Sequence, residues 1–199
     1  MTAKIQETPQ LLQAGSGALF FFLIWIFFLA RRDNFWNVME HELTHAIFAL
    51  LFLKKVHKLN AHRSSGGLVQ VEGGNFVIAL APYFFPLVAV VIILIKPIIL
   101  PEIQWLLNIL LGAAIMFHFI YLLGEFSPAQ PDIRYSGFLF SILFILFFNI
   151  FFLGLSLASL SAAWSDILTF IKHGLNESMI FSKEVWIYFN DLFTNRGKI

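Results

Sequence analysis

Long apolar runs, separated by short polar or proline-rich segments, make up most of the chain. A membrane-spanning helix needs about 20 mainly apolar residues. The runs predict spans at residues 17–30 (extending back toward Leu11), 35–53, 76–95, 103–123 and 137–160. Pro82 and Pro86 fall inside the third run, so we expect a kink or break there. The pattern therefore predicts an all-α polytopic membrane protein with about five transmembrane helices.

The polar stretch between the second and third runs, residues 54–75, predicts a short β-hairpin. Apolar and polar residues alternate there between glycine pairs at 66–67 and 73–74, as in a strand bounded by turns. After residue 160, apolar residues recur at helical spacing in a polar background, which predicts amphipathic helices at the membrane surface. We therefore divide the chain into a transmembrane core, residues 1–160, and an amphipathic tail, residues 161–199.

Composition supports a membrane protein and limits which side chains can bind a metal or act as a nucleophile. Hydrophobic residues make up 59% of the chain and charged residues only 13%. A formal net charge of +1 gives no reason to expect nucleic-acid binding. The chain has no cysteine, so it has no disulfide, no thiol nucleophile and no thiolate zinc site. Any metal centre must use His, Asp or Glu.

The second predicted span carries the sequence His41-Glu42-Leu43-Thr44-His45. On a helix, residues four apart share one face, so the His41 and His45 imidazoles can bind one zinc ion. Glu42 can then act as general base on a zinc-bound water. Ionisable groups inside a membrane are costly unless they are paired or bind a metal. A metal centre is thus the favoured interpretation, and a purely structural polar cluster is the alternative.

A catalytic zinc site usually takes three protein ligands and a water molecule. Asp132 is the first candidate for the third ligand, because a proline-rich segment can present a carboxylate to a polar cavity. His118 on the fourth span is the alternative, and Glu125 is the next candidate. The fourth span is expected to end on the membrane face opposite the motif. Asp132 therefore reaches the histidines only if the chain turns back into the bundle after Gly124.

These features together resemble the site-2 protease family of intramembrane zinc metalloproteases, in its compact branch without a PDZ domain. The resemblance rests on the H-E-x-x-H motif, the glycine-rich hairpin, the proline-broken span and Pro131-Asp132, and it covers residues 34–137. It implies that His41, His45 and Asp132 bind Zn²⁺ and that Glu42 activates water. Asp132 is followed here by Ile133, where the family has glycine.

The resemblance also implies where a substrate would bind. The hairpin would guide an unwound segment to the metal through Gly67, Leu68 and Val69. Asn75 would hold a substrate carbonyl or the oxyanion. A helix N-cap at the start of the third span is an equally good interpretation of Asn75.

The expected function is a zinc-dependent intramembrane endopeptidase, which cleaves a transmembrane or membrane-adjacent segment of a protein substrate with metal-activated water. One alternative is a catalytically silent relative that serves as a membrane-protein binding, assembly or regulatory factor. The intact Glu42 argues against it. Another is a metal- or haem-binding membrane protein that uses His41, His45 and His118. Expected partners are a membrane-protein substrate, the lipid bilayer and a complex partner contacted by the tail. The expected location is a prokaryotic cytoplasmic membrane.

Overall fold

The computed structural model describes residues 3–30, 35–62 and 66–195. The helices are α1 (Ala3–Ile24), α2 (Phe35–Leu51), α3 (Phe76–Phe84), α4 (Leu87–Ile95), α5 (Gln104–Glu125), α6 (Pro131–Ser136), α7 (Phe138–Ala158) and α8 (Trp164–Asn195). A π-helix, Trp25–Leu29, extends α1, and short 3-10 turns lie at Lys96–Ile98, Pro101–Ile103 and Ser159–Ser161. The strands β1 (Val56–His62) and β2 (Gly66–Val71) follow α2. The predicted helical class with one hairpin after the second helix is confirmed.

The predicted number of membrane spans is not confirmed. Three segments of the described chain are long and apolar enough to cross a membrane, at Pro9–Leu29, Pro101–Glu125 and Phe138–Ser161. The bent pair formed by α3 and α4 makes a fourth if it counts as one span. The second predicted span, α2, is not among these segments. Its described part has 17 residues and carries the ionisable motif.

The predicted break in the third run lies at Pro86. The chain bends by 75° between α3 and the helical segment Leu87–Ile98, which begins with α4. Phe85 between them has extended backbone angles, φ −106° and ψ 102°, as expected for a residue that precedes proline. Pro82, in contrast, remains inside α3. The third predicted span is thus two short helices with a sharp bend.

The core lies where α3, α4, α5 and α7 meet, and Leu80, Tyr83 and Leu111 are almost fully buried there. Against this core, α1 and α5 cross at very short distance. A Cβ atom on Gly17 would overlap the backbone oxygen of Ile109, and one on Gly112 would overlap that of Ala14. Small residues that let two backbones approach are typical of helix packing in membranes.

The hairpin lies beside α2. Its strands are antiparallel, with Leu59 opposite Val69 and Ala61 opposite Gly67, and the register shifts between Val56 and Lys58. Among the described residues the sheet has only these two strands, so β2 keeps one edge without a strand partner.

The tail forms one long helix, α8, where several amphipathic helices were predicted. It begins after Ala162, whose φ of 61° turns the chain at the end of α7. Ile167 is buried, and the Phe170 ring packs against Phe151 of α7. Further along, apolar residues such as Trp186 and Phe189 are exposed. The division at residue 160 stays a prediction.

Candidate metal centre

Helix α2 places His41 and His45 one turn apart on the same face, as their spacing predicts. Their ring centroids are 4.9 Å apart and the planes cross at 71°. The Nε2 atoms of the two rings are 3.2 Å apart, so both point at the same small volume. His45 is buried and His41 is half-buried.

Asp132 lies beside these two nitrogen atoms. Its Oδ2 is 3.7 Å from Nε2 of His41 and 3.5 Å from Nε2 of His45. The chain turns back after α5, with a hydrogen bond from Gln130 N–H to the Ser127 carbonyl at 3.0 Å. Helix α6 then begins at Pro131, a favoured first helical residue, and the fully buried Ile133 anchors it in the core. The chain therefore turns back toward α2 after α5, as the approach of Asp132 to the two histidines requires.

Hydrogen bonds to the opposite ring nitrogens set the tautomer of both histidines. Nδ1 of His41 is 2.9 Å from Oε2 of Glu125, and Nδ1 of His45 is 2.8 Å from the carbonyl oxygen of Ile78. Because both partners are acceptors, each Nδ1 carries the proton and each Nε2 presents a lone pair. Two imidazole nitrogens and one carboxylate oxygen, all within 4.8 Å of one another, thus converge as a donor set that suits a metal ion such as zinc.

Tyr83 belongs to the same cluster, although its place among apolar residues of α3 gave no signal in the sequence. Its hydroxyl donates to Oδ2 of Asp132 at 3.4 Å, and its ring meets His41 edge to face at 5.4 Å. A hydrogen-bond donor beside the carboxylate favours its ionised form, which a metal ligand must have.

Glu42 lies between α2 and the hairpin. The backbone N–H of Val69 faces its carboxylate. A Cβ atom on Gly67 would overlap the Glu42 side chain, so only glycine fits against the carboxylate at this position of β2. The strand thus fixes Glu42 from the side opposite its own helix.

A cavity of about 620 Å³ opens over these groups. Its lining includes all the predicted site residues of the motif and the hairpin, namely His41, Glu42, His45, Asp132, Gly67, Leu68, Val69 and Asn75. Oδ1 of Asn75 accepts a hydrogen bond from the Ile78 N–H at 2.9 Å and so caps α3. On the far side, the Tyr135 hydroxyl donates to the Gly74 carbonyl at 3.3 Å and joins α6 to the loop after the hairpin.

The two other ligand candidates lie outside the donor set. His118 is buried in α5, and its Nε2 donates to Oδ1 of Asn149 at 2.9 Å. The Asn149 amide in turn donates to the Tyr83 carbonyl at 2.9 Å. Glu125 contacts Nδ1 of His41, the ring nitrogen that faces away from Asp132. The assignment of His41, His45 and Asp132 as the ligands stays a prediction that this geometry supports.

The fold and the site together define an integral membrane protein with a candidate metal centre of the metalloprotease type. The chain belongs to the Peptidase M50B-like family, which it matches over residues 14–181. The resemblance to site-2 proteases is thereby confirmed, and the family supports a protease. No curated protein and no solved structure matches the chain.

Proposed function

We propose that this protein is a zinc-dependent intramembrane endopeptidase. The observation that carries the proposal is the convergence of the His41, His45 and Asp132 donor atoms in one cavity, with Glu42 at its wall. The peptidase family provides independent support, because M50 peptidases are zinc metalloproteases.

The residues of the cavity fit peptide hydrolysis. Zinc held by His41, His45 and Asp132 would lower the pKa of a bound water to about 7 and polarise the scissile carbonyl. Glu42 is outside the donor set, so its carboxylate is free to accept a proton from the attacking water. The same carboxyl then protonates the leaving amine nitrogen as the C–N bond breaks. A general base of this kind typically contributes about 10²–10⁴-fold to the rate.

The open edge of β2 suits an extended substrate. Peptide bonds in a helix are shielded by their own hydrogen bonds, so a transmembrane segment must unwind before it is cleaved. An unwound segment can add to β2 as a further strand and be held by main-chain hydrogen bonds. Gly67, Leu68 and Val69 line the cavity along this strand, and Leu68 is exposed. For Asn75, whose side chain also caps α3, we propose that it holds a substrate carbonyl or the oxyanion.

The proposed substrate is a transmembrane or membrane-adjacent segment of another protein, and the proposed location is a prokaryotic cytoplasmic membrane. The exposed apolar residues of α8 would contact the bilayer or a complex partner. A catalytically silent relative that binds or assembles membrane proteins is the alternative, and the intact Glu42 argues against it.

The first test is the zinc content of the detergent-purified full chain. Wild type should hold about one zinc, and the His41→Ala/His45→Ala variant should hold none. The double variant His57→Ala/His173→Ala is a matched control, because both of its histidines are exposed and lie outside the donor set, so it should retain the metal. Wild type without zinc after attempted reloading would contradict the metal centre.

The second test is cleavage. Membranes that contain wild type are compared by proteomics with membranes that contain Glu42→Gln, which should keep its zinc because Glu42 is not a proposed ligand. Truncated membrane proteins should appear only with wild type. Zinc in both proteins with no difference between their membrane peptides would favour the silent alternative.

A further inference from the structure

We infer that Glu125 is a positioning residue, which holds the His41 imidazole in the orientation and tautomer that metal binding requires. This inference rests on the proposed metal centre and assigns Glu125 a role other than ligand. The first observation is the 2.9 Å contact between Oε2 of Glu125 and Nδ1 of His41. The two nitrogens of an imidazole ring point in different directions. Glu125 faces Nδ1 of His41, and Asp132 faces Nε2 of the same ring.

Both carboxylate oxygens of Glu125 are used by α2. Oε1 accepts a hydrogen bond from the Asn37 side-chain amide, and Oε2 faces His41. Asn37 and His41 are four residues apart, so they lie on the same face of α2. Asn37 is buried with only 8% of its surface exposed. The carboxylate is therefore fixed at both ends and cannot rotate without losing a partner.

The position of Glu125 has no local explanation. It is the last residue of α5. A negative charge at a helix C-terminus is unfavourable, because the unpaired carbonyl groups already make that end negative. The contacts of Glu125 with Asn37 and His41 compensate for this unfavourable charge, and His41 is one of the proposed metal ligands.

A carboxylate behind a ligating histidine has a definite effect. It accepts a hydrogen bond from Nδ1–H, which leaves the lone pair on Nε2 and increases the electron density of the ring. Loss of such a partner typically lowers metal affinity by about 10–100-fold. His45 has a backbone carbonyl in the same place, since its Nδ1 faces Ile78 O. Of the two histidines, only His41 depends on a side chain that can be substituted.

The test is Co²⁺ titration of the full chain in detergent, followed by the visible absorption of the bound ion. Glu125→Ala should bind Co²⁺ about 10–100-fold more weakly than wild type. The Co²⁺ affinity of Glu125→Gln should lie between those of wild type and Glu125→Ala. Its amide oxygen can still accept a hydrogen bond from Nδ1–H, but it carries no negative charge. Glu102→Gln is the matched control, since Glu102 is exposed at the other end of the same helical segment, and it should bind like wild type.

Asn37→Ala provides a second route that leaves the carboxylate in place. It should weaken Co²⁺ binding less than Glu125→Ala does. The thermal stability of each metal-free variant separates orientation of the ligand from a merely structural clamp, because a clamp alone lowers stability and leaves Co²⁺ affinity unchanged. Wild-type affinity in Glu125→Ala, with binding lost in His41→Ala, would overturn the inference and leave the metal centre intact. Absence of Co²⁺ binding in wild type would overturn both.

Discussion

Nδ1 of His45 donates a hydrogen bond to the backbone carbonyl of Ile78 at 2.8 Å. In a regular helix that carbonyl would accept from the N–H group four residues later. The residue at that position is Pro82, which has no N–H. Pro82 thus leaves the Ile78 carbonyl without a donor from its own helix. His45 donates to this carbonyl instead.

Substitution of Pro82 tests this relationship. In Pro82→Ala, the new N–H competes with His45 for the Ile78 carbonyl, so we expect zinc affinity to fall within about the 10–100-fold range seen for outer-shell partners. Competitive titration with a zinc chelator measures the change. Pro9→Ala is the control, because Pro9 lies inside α1 far along the chain from the site, and it should not alter affinity. Equal affinity in all three proteins would contradict the proposed role of Pro82.

The motif was the part of the site most accessible to sequence reasoning. Spacing alone puts His41 and His45 on one face of a helix, and the structure shows this arrangement. Asp132 could be proposed from its proline-rich segment and from the resemblance, but its approach to the histidines depends on the turn between α5 and α6, which the sequence does not determine. The side from which Glu125 meets His41 depends on ring orientation, which spacing does not determine.

The number of membrane spans was harder to predict from the sequence than the motif. Hydropathy marks α2 as an apolar run, but the described helix has 17 residues, carries ionisable groups and is not among the segments long and apolar enough to cross a membrane. The break at the third run was predictable, because Pro86 disfavours helical backbone at Phe85. The partner of the freed Tyr83 carbonyl was not predictable, because Asn149 lies far away in the sequence.

The crossing of α1 and α5 gives a prediction about stability. In Gly17→Ala the added methyl would overlap the Ile109 backbone oxygen, which cannot move without shifting α5. We expect the unfolding free energy to fall by about 1–3 kcal/mol, the usual effect of overpacking. Gly15→Ala, two residues earlier on α1, meets nothing within 4 Å and should be neutral or stabilising by up to about 1 kcal/mol. Thermal unfolding in detergent compares them, and equal losses in both variants would contradict the close crossing.

Gly67 links the hairpin to the chemistry of the proposed protease. A methyl group at this position would overlap the Glu42 side chain, so Gly67→Ala must displace either the carboxylate or β2. Displacement of a general base by about 1 Å typically lowers a rate by about 10²-fold, and we expect cleavage to fall by that order. Zinc content should not change, because the atoms that a methyl group at Gly67 would meet first belong to Glu42, which is outside the donor set.

The control for Gly67→Ala lies in the same part of the cavity. Gly74 also lines it, but a Cβ atom there meets nothing within 4 Å, so Gly74→Ala should cleave like wild type. Zinc content and cleavage are measured side by side for the two variants. Loss of zinc in Gly67→Ala would show that β2 supports the metal centre itself. Full cleavage in Gly67→Ala would mean that Glu42 tolerates displacement, which its proposed role as the base does not allow.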